Sequence, residues 1–317
     1  MRKFYIVDGH CDSLIHYVNG ERTLNYPSEG GQWDIERAHL AGVSLQLMAA
    51  FIETKYKPAM ATQRGLQLLE GAHRFIAEHL DQVFLVQGKL DLEKIPDPNR
   101  IGILLSVEGG EILGENLFML DIIFKLGVRA LGLTWNQRNA LADGAGEANT
   151  QSRLTHLGQE VVQRMNTLGM LIDVSHLNEA GFWHVLELSK DPITASHSCA
   201  KTLCDHPRNL SDEQLRAIAR QKGVVGVNFY PRFLKETGKV TREDVVRHIY
   251  HIAEIAGVET VGLGSDFDGI DETPEGLGQV DDYCFLLDDL AKIGFSTLEI
   301  EQIAGQNFMR LLSNVLK

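Results

Sequence analysis

Five segments of the chain place an imidazole or a carboxylate directly after an apolar run. They are Asp8-Gly9-His10-Cys11-Asp12, Ser106-Val107-Glu108-Gly109-Gly110, Asp173-Val174-Ser175-His176, Ser196-His197-Ser198 and Gly264-Ser265-Asp266-Phe267-Asp268-Gly269. His10 and Asp12 stand two positions apart, and in an extended strand such residues face one side. They would aim one nitrogen and one oxygen at a single point, which is half of a metal site. Taken alone, His-x-Asp reads first as an ordinary strand end with a surface Asp and a satisfied His. Five separate runs ending this way are hard to attribute to chance. Three imidazoles with several carboxylates suit zinc, iron or manganese better than magnesium or calcium. A carboxylate with two oxygens can bridge two such ions at about 3.5–4 Å separation, and a water they share loses its proton near neutral pH. Glu108, central in the set and followed by two glycines, is the natural bridge.

The elements that must position these groups alternate. Strand-length apolar runs occur at 4–7, 43–51, 83–86, 101–107, 130–134, 171–174, 193–195, 224–229 and 260–263. Several are near-continuous in Val, Ile and Leu, as in parallel strands covered on both faces. Helical stretches lie between them. Ser211-Asp212-Glu213-Gln214, Thr241-Arg242-Glu243-Asp244 and Ser296-Thr297-Leu298-Glu299 read as capping boxes, in which hydroxyl and N3 side chain each satisfy a free backbone N–H. Gly223 and Gly257 mark helix ends. Strand–helix alternation implies a parallel sheet with right-handed crossovers. At this length it favours a single α/β unit over residues 1–317, closed as a TIM-like (β/α)8 barrel. Barrel geometry gathers the strand ends on one rim. The long loops at 20–33, 136–156 and 269–282 each follow a strand or strand end and belong to that rim.

Bulk properties narrow the partners. A net charge of −13 and the lack of a basic stripe argue against nucleic acid. No apolar stretch approaches a membrane span, and no secretory leader precedes the first run, so no membrane association is expected. Cys11, Cys199, Cys204 and Cys284 fit neither a disulfide framework nor a Cys-x-x-Cys site. A reducing cytoplasm is the expected location.

Together with Arg208-Asn209, the five segments resemble the membrane (renal-type) dipeptidase family, binuclear zinc metallopeptidases of the amidohydrolase type. The matching motifs run in order through nearly the whole chain. The resemblance implies hydrolysis of free dipeptides, including those with a C-terminal D-residue, by a metal-bridging hydroxide. It also implies two zinc ions, with other divalent transition metals as substitutes, and a homodimer. By motif, His10 and Asp12 would bind one zinc, Glu108 would bridge, and His176 and His197 would bind the second. Arg208, eleven residues past His197, would take the substrate carboxylate; a guanidinium fork matches a carboxylate bidentately. Asn209 would assist it. Asp266 would sit beside the hydroxide and carry protons. One position departs from the family pattern: Trp135, in Leu133-Thr134-Trp135-Asn136, stands where a histidine often helps stabilise the oxyanion. An indole N–H donates one hydrogen bond but is no acid at neutral pH. Trp135 thus becomes a candidate substrate-binding residue; either zinc alone would polarise the carbonyl, or Asn136 or Asn139 would contribute a donor. It also keeps open a lactam, lactone or N-acyl amino-acid hydrolase on the same scaffold. A metal-binding protein without catalysis is the rival from another class.

The remaining histidines divide by position. His39, His73, His79, His184, His248 and His251 fall on helical stretches and read as structural. His16 and His206 adjoin motifs and are expected to support the site, and His156 is placed near the pocket. Other motifs fail. Asp266-x-Asp268-Gly269 opens like a calcium loop, but Leu277 stands where the closing Glu belongs. Gly262-x-Gly264 lacks the third glycine of a dinucleotide fingerprint.

Overall fold

The computed structural model of the protein describes residues 4–147 and 149–317; Met1-Arg2-Lys3 lie outside them. The strands are β1 (Ile6–Cys11), β2 (Val43–Phe51), β3 (Val83–Leu85), β4 (Ile101–Glu108), β5 (Val128–Gly132), β6 (Leu171–Asp173), β7 (Thr194–Ser198), β8 (Val224–Val227) and β9 (Val261–Leu263). All pair in parallel. Eight of them close a ring in the order β1-β2-β4-β5-β6-β7-β8-β9, with β2 joined directly to β4 and β9 back to β1. This is the expected (β/α)8 barrel.

One apolar run is not a stave. β3 pairs with the first residues of β4, Val83 opposite Ile101, and β5 takes over the same edge from Leu105 onward. The run at 83–86 therefore lies outside the ring, on the half of β4 farthest from Glu108.

Alternation along the strands separates two apolar clusters. Val7, Leu45, Leu47, Leu104, Ala130, Leu171 and Val224 pack with Phe308, Leu311, Leu312 and Val315 of the last helix. Their neighbours Ile6, Ile103, Leu105, Leu131, Ile172 and Val225 pack with the surrounding helices. The first set fills the lumen, and the helix Asn307–Val315 plugs one end of it with a stripe at i, i+3, i+4 and i+7. A Cβ added at Gly262 or Gly9 would come within 2.5 or 2.6 Å of the Phe308 ring, so both positions admit only glycine. Phe308 has no exposed surface, and its burial contributes about 2–3 kcal/mol.

The outer helices follow their sequence signals. Ala61–Glu78 buries Leu68, Leu69, Ala72, Phe75 and Ile76 on one face. All three expected capping boxes form, at Ser211, Thr241 and Ser296. Gly257 ends its helix at φ 89, whereas the helix Asp212–Arg220 stops earlier than Gly223, with Lys222 in the left-handed region.

Candidate metal centre

Parity along β4 carries the lumen from apolar to polar. Leu104, Ser106 and Glu108 alternate on one face, and Glu108 ends the strand with 6 % exposure. His10 and His197 lie inside strands rather than after them. Both sit at breaks in register, between Asp8 and Cys11 in β1 and between Ala195 and Ser198 in β7. Such irregularities re-aim side chains and recur beside active sites. Asp12 has already left β1, at φ −104 and ψ 13, where it opens the helix Ser13–Val18. It converges on His10 through that turn and not through strand alternation. His176, Asp266 and Asp268 have φ of 66, 64 and 65° and make up three of the five non-glycine residues with positive φ among the described residues. Backbone strain of this kind collects at functional sites.

These turns bring all the expected ligands together. His10 Nε2 lies 3.3 Å from Asp12 Oδ2, 3.5 Å from Glu108 Oε2 and 3.9 Å from Asp266 Oδ1. The other Glu108 oxygen lies 2.7 Å from His176 Nε2 and 3.5 Å from His197 Nε2. Glu108 thus turns one oxygen to each cluster. Donor atoms of Glu108, His176 and His197 fall within 4.8 Å of one another, as do those of His10, Asp12 and Asp266.

Neighbouring groups set the tautomers. His176 Nδ1 donates to Asn136 Oδ1 at 2.8 Å. His197 Nδ1 donates at 2.8 Å to Ser196 Oγ, whose own proton goes to Asp173 Oδ2. Each Nε2 is therefore a bare lone pair, and the two face each other at 2.9 Å. His10 Nε2 and Asp12 Oδ1 are buried without a hydrogen-bond partner. Facing lone pairs and orphaned buried acceptors suit a cation and little else, so the residues fit a metal.

Electrostatics show the same bias at His176 and His197, while the carboxylates beside His10 hold it protonated. Burial, reinforced by Arg208, brings the His176 pKa down to about 3; burial and then His10 hold His197 well below its usual range. Burial pulls His10 down, but Asp12 and Glu108 outweigh it and keep it well above the ordinary value. Burial pushes Asp266 up to about 8, with Asp12 and Glu108 adding to it against His10. Bound divalent cations would reverse the carboxylate balance.

The expected ligands open into a cavity of about 500 Å³ bordered by Phe51, Trp135, Tyr230, Phe233, Ile270 and Asp266. Arg208 is buried, stacks 5.4 Å from the Phe233 ring centre and donates from Nη2 to His197 O at 3.1 Å. Its Nε has no hydrogen-bond partner. Asn209 is placed differently from expectation. Neither it nor Arg208 borders this cavity; both line a smaller cleft that also touches His176, and the Asn209 amide donates to Cys204 O at 2.9 Å and Phe233 O at 2.8 Å, tying down the loop that carries Arg208. His156 is exposed at the start of its helix, away from the pocket. His206 accepts from Arg208 N at 3.2 Å, and His16 lies at the cavity wall beside Asp268 O.

The family described as Membrane dipeptidase (Peptidase family M19) matches residues 1–317. The chain belongs to that family. An uncharacterized dipeptidase of Schizosaccharomyces pombe is 34% identical over 332 residues, covering 97% of this chain and 80% of the relative. The solved structure of a metallopeptidase, dipeptidase AC, superposes with a TM-score of 0.93 at 26% identity, covering 99% of both chains. A metallopeptidase from Rhodobacter sphaeroides bound to a phosphinate mimic of L-Ala-D-Ala does so with 0.92 at 25% identity, again over 99% of both. The present chain is thus a metal-using hydrolase of the dipeptidase type. None of its helices among the described residues is long and apolar enough to cross a membrane.

For this M19 dipeptidase, the structure adds residues that sequence reasoning left without a role. Asn228 donates from Nδ2 to Asp266 Oδ2 at 2.9 Å and is fully buried. It directly follows β8 and has the same strand-end signal as the expected ligands, inside a run that continues to Phe229 in the sequence. Asp173 also accepts from the backbone N–H of Ser175 and Ser196, and Asp8 anchors Ser265 through two bonds of 2.9 and 2.6 Å.

Proposed function

We propose that residues 1–317 form one catalytic domain that hydrolyses free dipeptides with a pair of zinc ions. His10, Asp12 and Glu108 would hold one ion; Glu108, His176 and His197 would hold the other. When bound, the pair supplies Lewis acidity and a water acidified to near neutrality. The observation that carries the substrate reading is Arg208, a buried guanidinium with an unpaired Nε in the loop after β7. A buried donor left unpaired is costly, and a dipeptide's C-terminal carboxylate is the complement a fork requires.

The remaining roles follow from position. Asn228 occupies Oδ2 of Asp266, which leaves Oδ1, facing His10, to hold and release a proton. That oxygen serves the departing nitrogen, and the same carboxylate with Asp12 receives the substrate's free amine. Trp135 borders the cavity within 6.0 Å of the His176 ring and helps exclude water; Asn209 holds Arg208 in place. The phosphinate bound by the Rhodobacter sphaeroides relative mimics L-Ala-D-Ala, which supports acceptance of a C-terminal D-residue here. A cytoplasmic location belongs to the same reading, supported by four unpaired thiols, three of them buried.

The test is metal analysis combined with a panel of L-L and L-D dipeptides and N-acylated amino acids, before and after chelation. Two zinc ions per chain with cleavage of free dipeptides is the expected result. Cleavage restricted to N-acyl amino acids, lactams or lactones would replace the reading with that hydrolase class.

A further inference from the structure

The ring order sets Phe51 and the loop that carries Arg208 on opposite sides of the barrel; Phe51 borders the cavity, and Arg208 lines a smaller cleft beside His176. β2, which ends at Phe51, is directly across the barrel from β7, after which Arg208 follows. Trp135 follows β5 and meets Phe51 with ring centres 5.4 Å apart. Both rings border the catalytic cavity. Behind them stands Lys57, which borders a neighbouring cavity with Glu111 and Gln137. Its Nζ lies 5.6 Å from the Phe51 ring centre and 5.1 Å from that of Trp135. The ammonium is paired with Glu111 Oε1 at 3.2 Å, and the two side chains are 7 % and 5 % exposed. A desolvated cation against two ring systems adds a cation–π attraction to each. The rings are thereby held from outside the cavity, and the charge behind them is already neutralised.

A dipeptide has three directions to satisfy at this centre. This inference rests on the dipeptidase reading, in which the carboxylate goes to Arg208 and the amine to the Asp266 and Asp12 side, at the ends of β9 and β1. Tyr230, Phe233 and Ile270 follow β8 and β9, on the side of those two groups, whereas Phe51 and Trp135 form the wall across from β7 and β9, which the N-terminal side chain meets. We infer that Phe51 and Trp135, backed by Lys57, form the subsite for the N-terminal side chain and select apolar or aromatic residues there. Flat rings complement such side chains. An acidic N-terminal side chain would lose water against this wall without gaining a free cation, because Lys57 is bound to Glu111.

The experiment measures kcat/KM of the zinc-loaded full chain for Gly-Ala, Leu-Ala, Phe-Ala and Glu-Ala. Wild type is expected to prefer Leu-Ala and Phe-Ala over Gly-Ala by about tenfold or more, the scale of apolar pocket discrimination, with Glu-Ala poorest. Trp135→Ala and Phe51→Ala should each reduce the Phe-Ala to Gly-Ala ratio at least severalfold; a ratio cancels any loss common to both substrates. Trp135→Phe, a milder change, serves if either truncated variant fails to fold, and should reduce the Phe-Ala ratio less than Trp135→Ala does. Ratios unmoved in the folded variants, or a wild type that cleaves all four equally, overturn the subsite alone. A zinc-loaded wild type that cleaves none overturns the dipeptidase reading and the subsite with it.

Discussion

His176 and His197 direct their Nε2 atoms at each other across 2.9 Å, and the partners of both Nδ1 atoms leave each Nε2 without a proton. Two lone pairs at that distance repel unless a cation lies near them. Removal of metal should therefore leave the fold strained at this point. The chelated protein is expected to melt lower by roughly 5 °C or more, given about 4 kcal/mol of linkage at a thousandfold excess of ion over Kd and the melting entropy of a chain this long. His197→Ala should bind one ion fewer per chain. Calorimetry and elemental analysis check both.

Arg208→Met should lower kcat/KM for dipeptides by roughly two to three orders of magnitude, the scale for losing one partner of a buried charge pair. Metal content should stay at the wild-type value. Unimpaired dipeptide turnover in this variant would remove Arg208 from its assigned role.

Asp266→Asn keeps the shape of the side chain but cannot accept a proton. A fall in kcat of about 10²–10⁴ is expected, larger than any change in KM. Burial pushes the Asp266 carboxyl up to about 8 when no metal is bound, so protons compete with cations for its corner of the site. Reloading of chelated enzyme should strengthen as pH rises through that value, and the variant should lose this component. Metal titrations at several pH values decide it.

Gly269 leaves room that the site needs. A Cβ there would stand 2.1 Å from Asp12 Oδ2 and 2.6 Å from Asp266 Oδ1. Gly269→Ala should displace both carboxylates, with loss of metal at the His10 side and activity reduced at least about a hundredfold. The fold itself should melt within a few degrees of the metal-free wild type.

His248 supplies a pH dependence separate from the candidate metal centre. Its Nδ1 accepts from Ala200 N and its Nε2 donates to Leu234 O, both at 3.0 Å. Burial brings its pKa down to about 4 from 6.5. The folded chain resists a proton that the unfolded chain accepts. Stability from this residue is complete above pH 6.5 and declines as pH falls toward 4, by about 3 kcal/mol in all. In denaturant titrations, His248→Gln should show a smaller loss of stability than wild type across that window.

Much of the site was legible before folding. An apolar run followed by His, Asp or Glu states both that a parallel strand is present and that its end is polar, and this located His10, Asp12, Glu108, His176, His197 and Asp266. Capping boxes located helix starts equally well, since each depends on side chains three residues apart. Those are local rules. What only the tertiary structure decided depends on ring closure. Nothing in the run at 83–86 distinguishes a stave from the edge strand β3; that follows from β5 claiming the upper half of β4. Strand alternation did not foretell that register breaks would turn His10 and His197 inward, or that Asp12 would arrive through a helix turn. Asn209 reads in sequence as a companion of Arg208 at the substrate, but its donors are consumed by backbone carbonyls brought to it by the fold. The types of the candidate ligands are thus a property of the chain, because each answers to its immediate neighbours. Their mutual aim, and the hydrophobic wall that faces Arg208 across the barrel, are properties of a closed sheet whose opposing strands lie far apart in sequence.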